Sequence, residues 1–156
     1  MSSFTRFSAE MSVRYDRAAS LALGADHWRV MDDFRFYIGD STEGGWVFVP
    51  AGYLTDGASV PRLFWNVIPP WGSYGQAAVV HDIVCEYLSV TKGGVPEPVT
   101  RAECDKILLQ AMEVIGVPWI TRTAIYGAVS AYRLLSGVST PSTTELKRSI
   151  EASWSK

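Results

Sequence analysis

The run Thr55 to Trp65, TDGASVPRLFW, most constrains how this chain folds. It packs an acid, a hydroxyl, a glycine and a proline into seven positions, directly after a strand-like segment. Gly57 permits a positive φ or a close backbone approach, and Pro61 fixes its own φ while restricting Val60. A turn of this composition holds Asp56 and Ser59 in a set geometry. It also divides the chain, because the residues before it read as strand and those after it as helix.

Before the turn, Trp28 to Ile38 (WRVMDDFRFYI) shows a partial alternation of apolar residues, interrupted by Asp32 and Asp33. Gly39 to Gly45 is a cluster of turn formers, and Trp46 to Val49 reads as a second strand, so the two runs predict a hairpin with a long loop. Pro50 closes it, and Ala51 to Thr55 leads into the turn. Met11 to Leu23 is ambiguous between strand and helix and is assigned here as strand.

After the turn, Pro61 to Val67 predicts one short helical turn ended by Pro69 and Pro70. Ser73 is placed to cap a helix over about 74–88. Thr91 to Val99 (TKGGVPEPV) reads as a loop. Thr100-Arg-Ala-Glu103 is a capping box opening a helix to about Ile115. Gly116, Val117 and Pro118 separate that helix from another ending near Leu135. Ser142 to Glu145 spells a second capping box, so a short helix is allowed near the C-terminus. The chain is therefore expected to be α+β: an N-terminal antiparallel hairpin or sheet packed on about three helices. Residues 1–136 are read as one domain, and 137–156 as a tail. At 156 residues one domain with a sizeable core is the natural count.

Successive helix residues turn by about 100°. On the 74–88 helix, His81 lies amid Ala77, Ala78, Val84, Cys85 and Leu88 and points at the core, while Asp82 turns toward its border. On the next helix Asp105 falls inside the apolar arc with Leu108, Leu109 and Met112. A buried carboxylate is costly unless paired, and a histidine on the neighbouring antiparallel helix is the obvious partner. Two accounts of the pair are open: a satisfied buried pair that fixes helix register, or a base with its orienter. A variant makes His81, Asp82 and Asp105 ligands of a divalent metal such as zinc. Asp56 and Ser59 are catalytic candidates or simply turn and cap residues. On the 118–135 helix, Ile120, Ala124, Ala128, Ala131 and Leu135 form a stripe suited to close packing. Arg122, Tyr126 and Arg133 then fall on the opposite face, read as solvated or as an anion or partner contact.

Net charge is −2, which argues against a general nucleic-acid binder. The two cysteines, Cys85 and Cys104, both fall on apolar helix faces and are expected to be buried free thiols. The first residues lack the apolar run of a secretory signal, and no segment has the length of a bilayer span. The chain is expected to be made in a cytoplasm and to stay soluble unless another protein exports or assembles it, with no membrane insertion.

The motifs T-D-G-A-S-x-P, Pro-Pro-Trp-Gly, A-x-x-H-D and R-A-x-x-D resemble the bacterial and phage family called domain of unknown function 1353. Thr55, Asp56, Gly57, Ala58, Ser59, Pro61, His81, Asp82, Arg101 and Asp105 carry the resemblance, which covers about Val49 to Arg133. It implies a phage or prophage context, with the virion as an alternative location to a host cytoplasm, and a shared polar site, but no reaction. The expectation is a phage-encoded accessory protein with a His/Asp site, foremost a small hydrolase acting on a host-envelope polymer such as peptidoglycan. The catalytic set would then be Asp56, Ser59, His81, Asp82 and Asp105. The alternative is a non-catalytic virion protein, at the tail or its tip, bound to other phage proteins.

Overall fold

The computed structural model of the chain describes residues 6–39, 44–57 and 74–156. The short helix expected at 61–67, the Ser73 cap and the tryptophan-rich stretch up to Trp71 lie outside the described residues. Two antiparallel sheets draw most of their strands from the N-terminal half, and helices dominate the C-terminal half, so the architecture is α+β.

The first sheet joins β1 (Val13–Tyr15), β2 (Trp28–Val30) and β5 (Leu54–Thr55), with β2 in the middle. The second runs β3 (Phe34–Tyr37), β4 (Trp46–Val49), β6 (Ser89–Lys92) and β7 (Val95–Pro98). The predicted hairpin exists as β3 and β4, with Phe34 opposite Val49 and Tyr37 opposite Trp46. Its first strand is shorter than expected, because the exposed Asp32 and Asp33 break the run and send Trp28–Val30 to the other sheet. Alternation then works as it should. Phe34, Phe36, Val47 and Val49 are buried, while Arg35 and Phe48 face outward.

Two assignments are corrected. Met11 to Leu23 is strand only at β1. Asp16 then accepts a bond from Ala19 N (2.9 Å) and caps α1 (Arg17–Leu23), which Gly24 ends at φ +75°. Thr91 to Val99 is not a loop. Gly93 and Gly94, at φ +59° and +79°, make a two-residue turn with both centres left-handed, and it closes the β6–β7 hairpin. Pro96 and Pro98 are tolerated because β7 is an edge strand.

The three long helices are α2 (Gly75–Tyr87), α3 (Arg101–Val114) and α4 (Trp119–Ser136). Thr100 and Glu103 form the reciprocal capping box that opens α3. Helix α2 lies between the second sheet and α3, and α3 packs on α4. Ala77, Val80, Val84, Leu108, Met112 and Ile125 meet the inward residues of the strands in one core.

The C-terminal segment docks onto this body. Ser142 N and Thr143 N donate to the carbonyls of Cys85 and Glu86, covering the end of α2. The short helix allowed by the sequence is α5 (Glu145–Ala152). It is capped by Thr144, which accepts from Lys147 N, and not by the expected Ser142–Glu145 box. Glu151 accepts a bond from Leu54 N (2.9 Å), and Trp154 covers Gly52.

Gly52 therefore tests whether the C-terminal segment holds the first sheet. Its φ is +93°, and a Cβ there would sit 2.7 Å from the Trp154 ring. Gly52→Ala should cost about 1–3 kcal/mol in urea unfolding, from backbone strain and overpacking together. Adding Trp154→Ala should make the glycine substitution cheaper, because only the strain then remains. An equal cost in both backgrounds would show that Trp154 does not lie on Gly52.

Candidate functional site

His81 projects from the middle of α2, one turn before Cys85, and only 7% of it is exposed. Asp105, in the first turns of α3, is 3% exposed. The two meet as the helical positions predict, with His81 Nε2 2.9 Å from Asp105 Oδ1. The other carboxylate oxygen, Oδ2, accepts a bond from Arg133 Nε at 2.8 Å. One buried acid on α3 is thus held by a cation from each flanking helix.

Two thiols complete the cluster. Cys85 Sγ is 3.4 Å from the same His81 Nε2, and it also bonds the Cys104 thiol beside Asp105. Both cysteines are free and buried. His81 Nδ1 is buried with no hydrogen-bond partner among the described residues.

Burial alone would strip the proton from His81. The bonds to Asp105 and Cys85, with nearby negative charge that includes Asp82, outweigh it and raise the ring to about 10. Burial likewise opposes ionisation of Asp105, but the bonds and charges of His81 and Arg133 hold its carboxyl below the usual range. At neutral pH the trio is an imidazolium, a carboxylate and a guanidinium. The bond with Cys104 and burial both push the Cys85 thiol up, so it stays protonated.

The remaining candidates are placed differently. Asp82 points away from His81 and accepts a bond from Thr55 Oγ1 (3.0 Å), which in turn accepts from Gly57 N (3.1 Å). The T-D-G segment is therefore tied to the H-D pair through Thr55 and Asp82. Asp56 is exposed, and Ser59 lies outside the described residues. The metal reading of His81, Asp82 and Asp105 is not met, since no group of three His, Cys, Asp or Glu among the described residues is arranged to hold a metal ion. Asp82 leaves the helix about 100° from His81, and the Asp105 oxygens are taken by the imidazole and Arg133.

The α4 reading is corrected, with Ala128 alone of the expected packing stripe buried. Ile125, Ala128 and Val129 are buried, whereas Ile120 is 65% and Leu135 88% exposed. Arg133, assigned to a solvated face, reaches into the cluster. Ile125 and Val129, four apart and branched, marked the inward face. The run of alanines drew the assignment to the opposite one.

A second polar group went unnoticed in the sequence. Glu86, one turn beyond Asp82 on α2, accepts a bond from Tyr53 OH (3.0 Å) and pairs with buried Lys147 of α5. The Lys147 ammonium lies 4.4 Å from the centre of the Tyr53 ring. A cavity of about 510 Å³ opens here, lined by Phe48, Tyr53, Ile83, Tyr87 and Glu151 among others, and His81 does not line it.

The charged trio and its thiols can be tested directly. Denatured, unreduced protein should titrate two free thiols; none would mean a Cys85–Cys104 bridge. His81→Ala breaks a buried pair on one side and should cost about 3–5 kcal/mol. For pH dependence, His81→Gln is the gentler probe. A histidine raised from 6.5 to about 10 on folding contributes its full stabilisation below pH 6.5 and loses it as pH climbs through 10. The stability gap between wild type and His81→Gln should shrink steadily over that window. A gap that stays constant would mean a neutral ring in the folded protein.

Among curated proteins, the chain is 36% identical over 86 residues to the uncharacterized protein y4jT of Sinorhizobium fredii (strain NBRC 101917 / NGR234). That stretch is 54% of this chain but 23% of the relative, so the chain spans about a quarter of that longer protein. No solved structure matches. The family model described as "Protein of unknown function (DUF1353)" matches residues 28–129, which include both sheets' central strands, the His81–Asp105 pair and most of α4. The chain belongs to the DUF1353 family.

Proposed function

We propose that the chain is a non-catalytic accessory protein of a phage or prophage, working by association with other virion proteins. The observation that carries this reading is the use of His81 Nε2. A Cys–His–carboxylate or Ser–His–carboxylate relay needs the nucleophile on one ring nitrogen and the acid on the other. Here Asp105 and Cys85 share Nε2. The bonds to Asp105 and Cys85 raise the ring's pKa against the opposing effect of burial, which works against general-base action near neutral pH. Arg133 takes the second carboxylate oxygen and leaves Asp105 no free face for a substrate. The cluster ties three helices together, which is what a structural network requires. The phage setting comes from the family resemblance. Among the described residues, no helix is long and apolar enough to cross a membrane.

One observation favours a second reading, a small hydrolase acting on peptidoglycan or another host polymer. His81 Nδ1 is a buried polar atom without a partner among the described residues, and the T-D-G segment is bonded to the residue beside it. The two readings separate in one experiment. Purified protein incubated with dye-labelled peptidoglycan, with and without added zinc, should release no more dye than buffer. Mass spectrometry of purified particles should find the chain in the virion. Dye release that disappears in a folded His81→Gln variant would overturn the accessory reading in favour of the hydrolase.

A further inference from the structure

The C-terminal segment is held to the body by a different kind of contact from the long helices. Helices α2, α3 and α4 meet through apolar side chains, among them Val84, Leu108 and Ile125. On α5 the one buried residue is Lys147, while Leu146 is 53% exposed. Residues 137–144, which lead to α5, form neither helix nor strand, and Gly137 to Ser142 are exposed. With little apolar surface removed from water, the docking rests on polar groups.

Those groups join the segment to the surface beneath it. Lys147 pairs with Glu86, and Ser142 N and Thr143 N donate to the carbonyls of Cys85 and Glu86. Glu151 accepts from Leu54 N, which belongs to β5 at the edge of its sheet. Lys156 pairs with Asp32 between two exposed side chains, a bond worth little. Trp154 lies on Gly52, with the Arg29 guanidinium 5.5 Å from its ring centre. Water can take over each of these hydrogen bonds when the segment lifts, so their net hold is modest.

The seam is also unfinished. Glu86 Oε2, Thr143 Oγ1 and Glu151 Oε1 are buried there with no hydrogen-bond partner among the described residues. The cavity of about 510 Å³ lies in the same seam, with Arg148, Glu151 and Ala152 of α5 on one side and Tyr53 and Ile83 on the other. Buried orphan groups and unfilled space both raise the energy of the closed arrangement, and lifting α5 relieves both.

We propose that residues 137–156 are a strap that lifts from the body as one unit, hinged on the connector before α5 and latched by Lys147 on Glu86, while both sheets and α2 to α4 stay folded. The strap decides when the cavity and the Leu54 edge of β5 are open to water. It does so whether the accessory or the hydrolase reading holds.

Native-state hydrogen exchange of the full chain tests this. Leu54 N, Thr143 N and Arg148 N, bonded to Glu151, Glu86 and Thr144, should be protected at least about 100-fold less than the amides of Val80 and Leu108 in the core. Because one opening exposes them, the three should share one urea dependence, shallower than that of the core. Lys147→Met keeps an apolar stem but leaves Glu86 without its cation in the closed state alone. It should lower the protection of all three at least about tenfold and leave Val80 and Leu108 unchanged. Protection of the three equal to that of Val80 overturns the proposal, since α5 then leaves only with global unfolding. So does exchange of the three that is indifferent to urea, which is the mark of local fraying. A Lys147→Met effect that reaches Val80 and Leu108 equally, or that reaches Arg148 N without Leu54 N, overturns it too.

Discussion

The fold turns on how one carboxylate is kept out of water. Asp105 sits inside the helical layer, where an unpaired charge would cost several kcal/mol. Its two oxygens are divided between His81 of α2 and Arg133 of α4. Sliding any one of these helices by a turn, about 5.4 Å, would strand at least one ion in the core. Apolar side chains of similar volume would fill the same space and tolerate such a slip more readily. The trio therefore selects one register for three helices, an effect separate from its net contribution to stability.

Helix α2 is the hub of this arrangement. Four polar groups fall within six residues, and each is engaged by a different part of the chain. His81 bonds α3 through Asp105, Asp82 holds β5 through Thr55, Cys85 meets Cys104, and Glu86 binds β5's neighbour Tyr53 and Lys147 of α5. The helix is buried along nearly its whole length, so each group must find its partner inside the protein. The C-terminal segment belongs to the same scheme. Without Lys147, Glu86 would be a buried carboxylate held only by a tyrosine hydroxyl.

Much of this was legible in the residues, where one local rule decided the outcome. The capping box at Thr100 set the start of α3, and helical periodicity put His81 and Asp105 on facing stripes. What escaped was decided by competition between rules. In TKGGVPEPV, two prolines argued for a loop, yet the glycine pair fixes a hairpin turn and the edge position of β7 makes the prolines harmless. In Met11 to Leu23, β-like Val13 and Tyr15 masked the cap at Asp16. On α4, both faces are apolar, so periodicity alone could not say which one faces inward. The branched pair Ile125 and Val129 marked the inward face, and Arg133 joins it by bonding Asp105, 28 residues away. Lys147 and Glu86 are separated by 61 residues, a pairing no local pattern announces.

The same bonds bear on why the motifs read as they do. Thr55 and Asp82 are bonded to each other, and Gly57 both donates to Thr55 and holds a φ of +75°. His81 and Asp105 are bonded, and Arg101 reaches across to the carbonyl of Thr140 (2.6 Å). Six motif positions thus have a partner or a backbone geometry that the fold itself demands. The cavity of about 510 Å³ beside Glu86 lies against Tyr53, Tyr87 and Glu151, and His81 does not line it. Described motif members that chiefly bond one another are what a demand for a single interior arrangement produces.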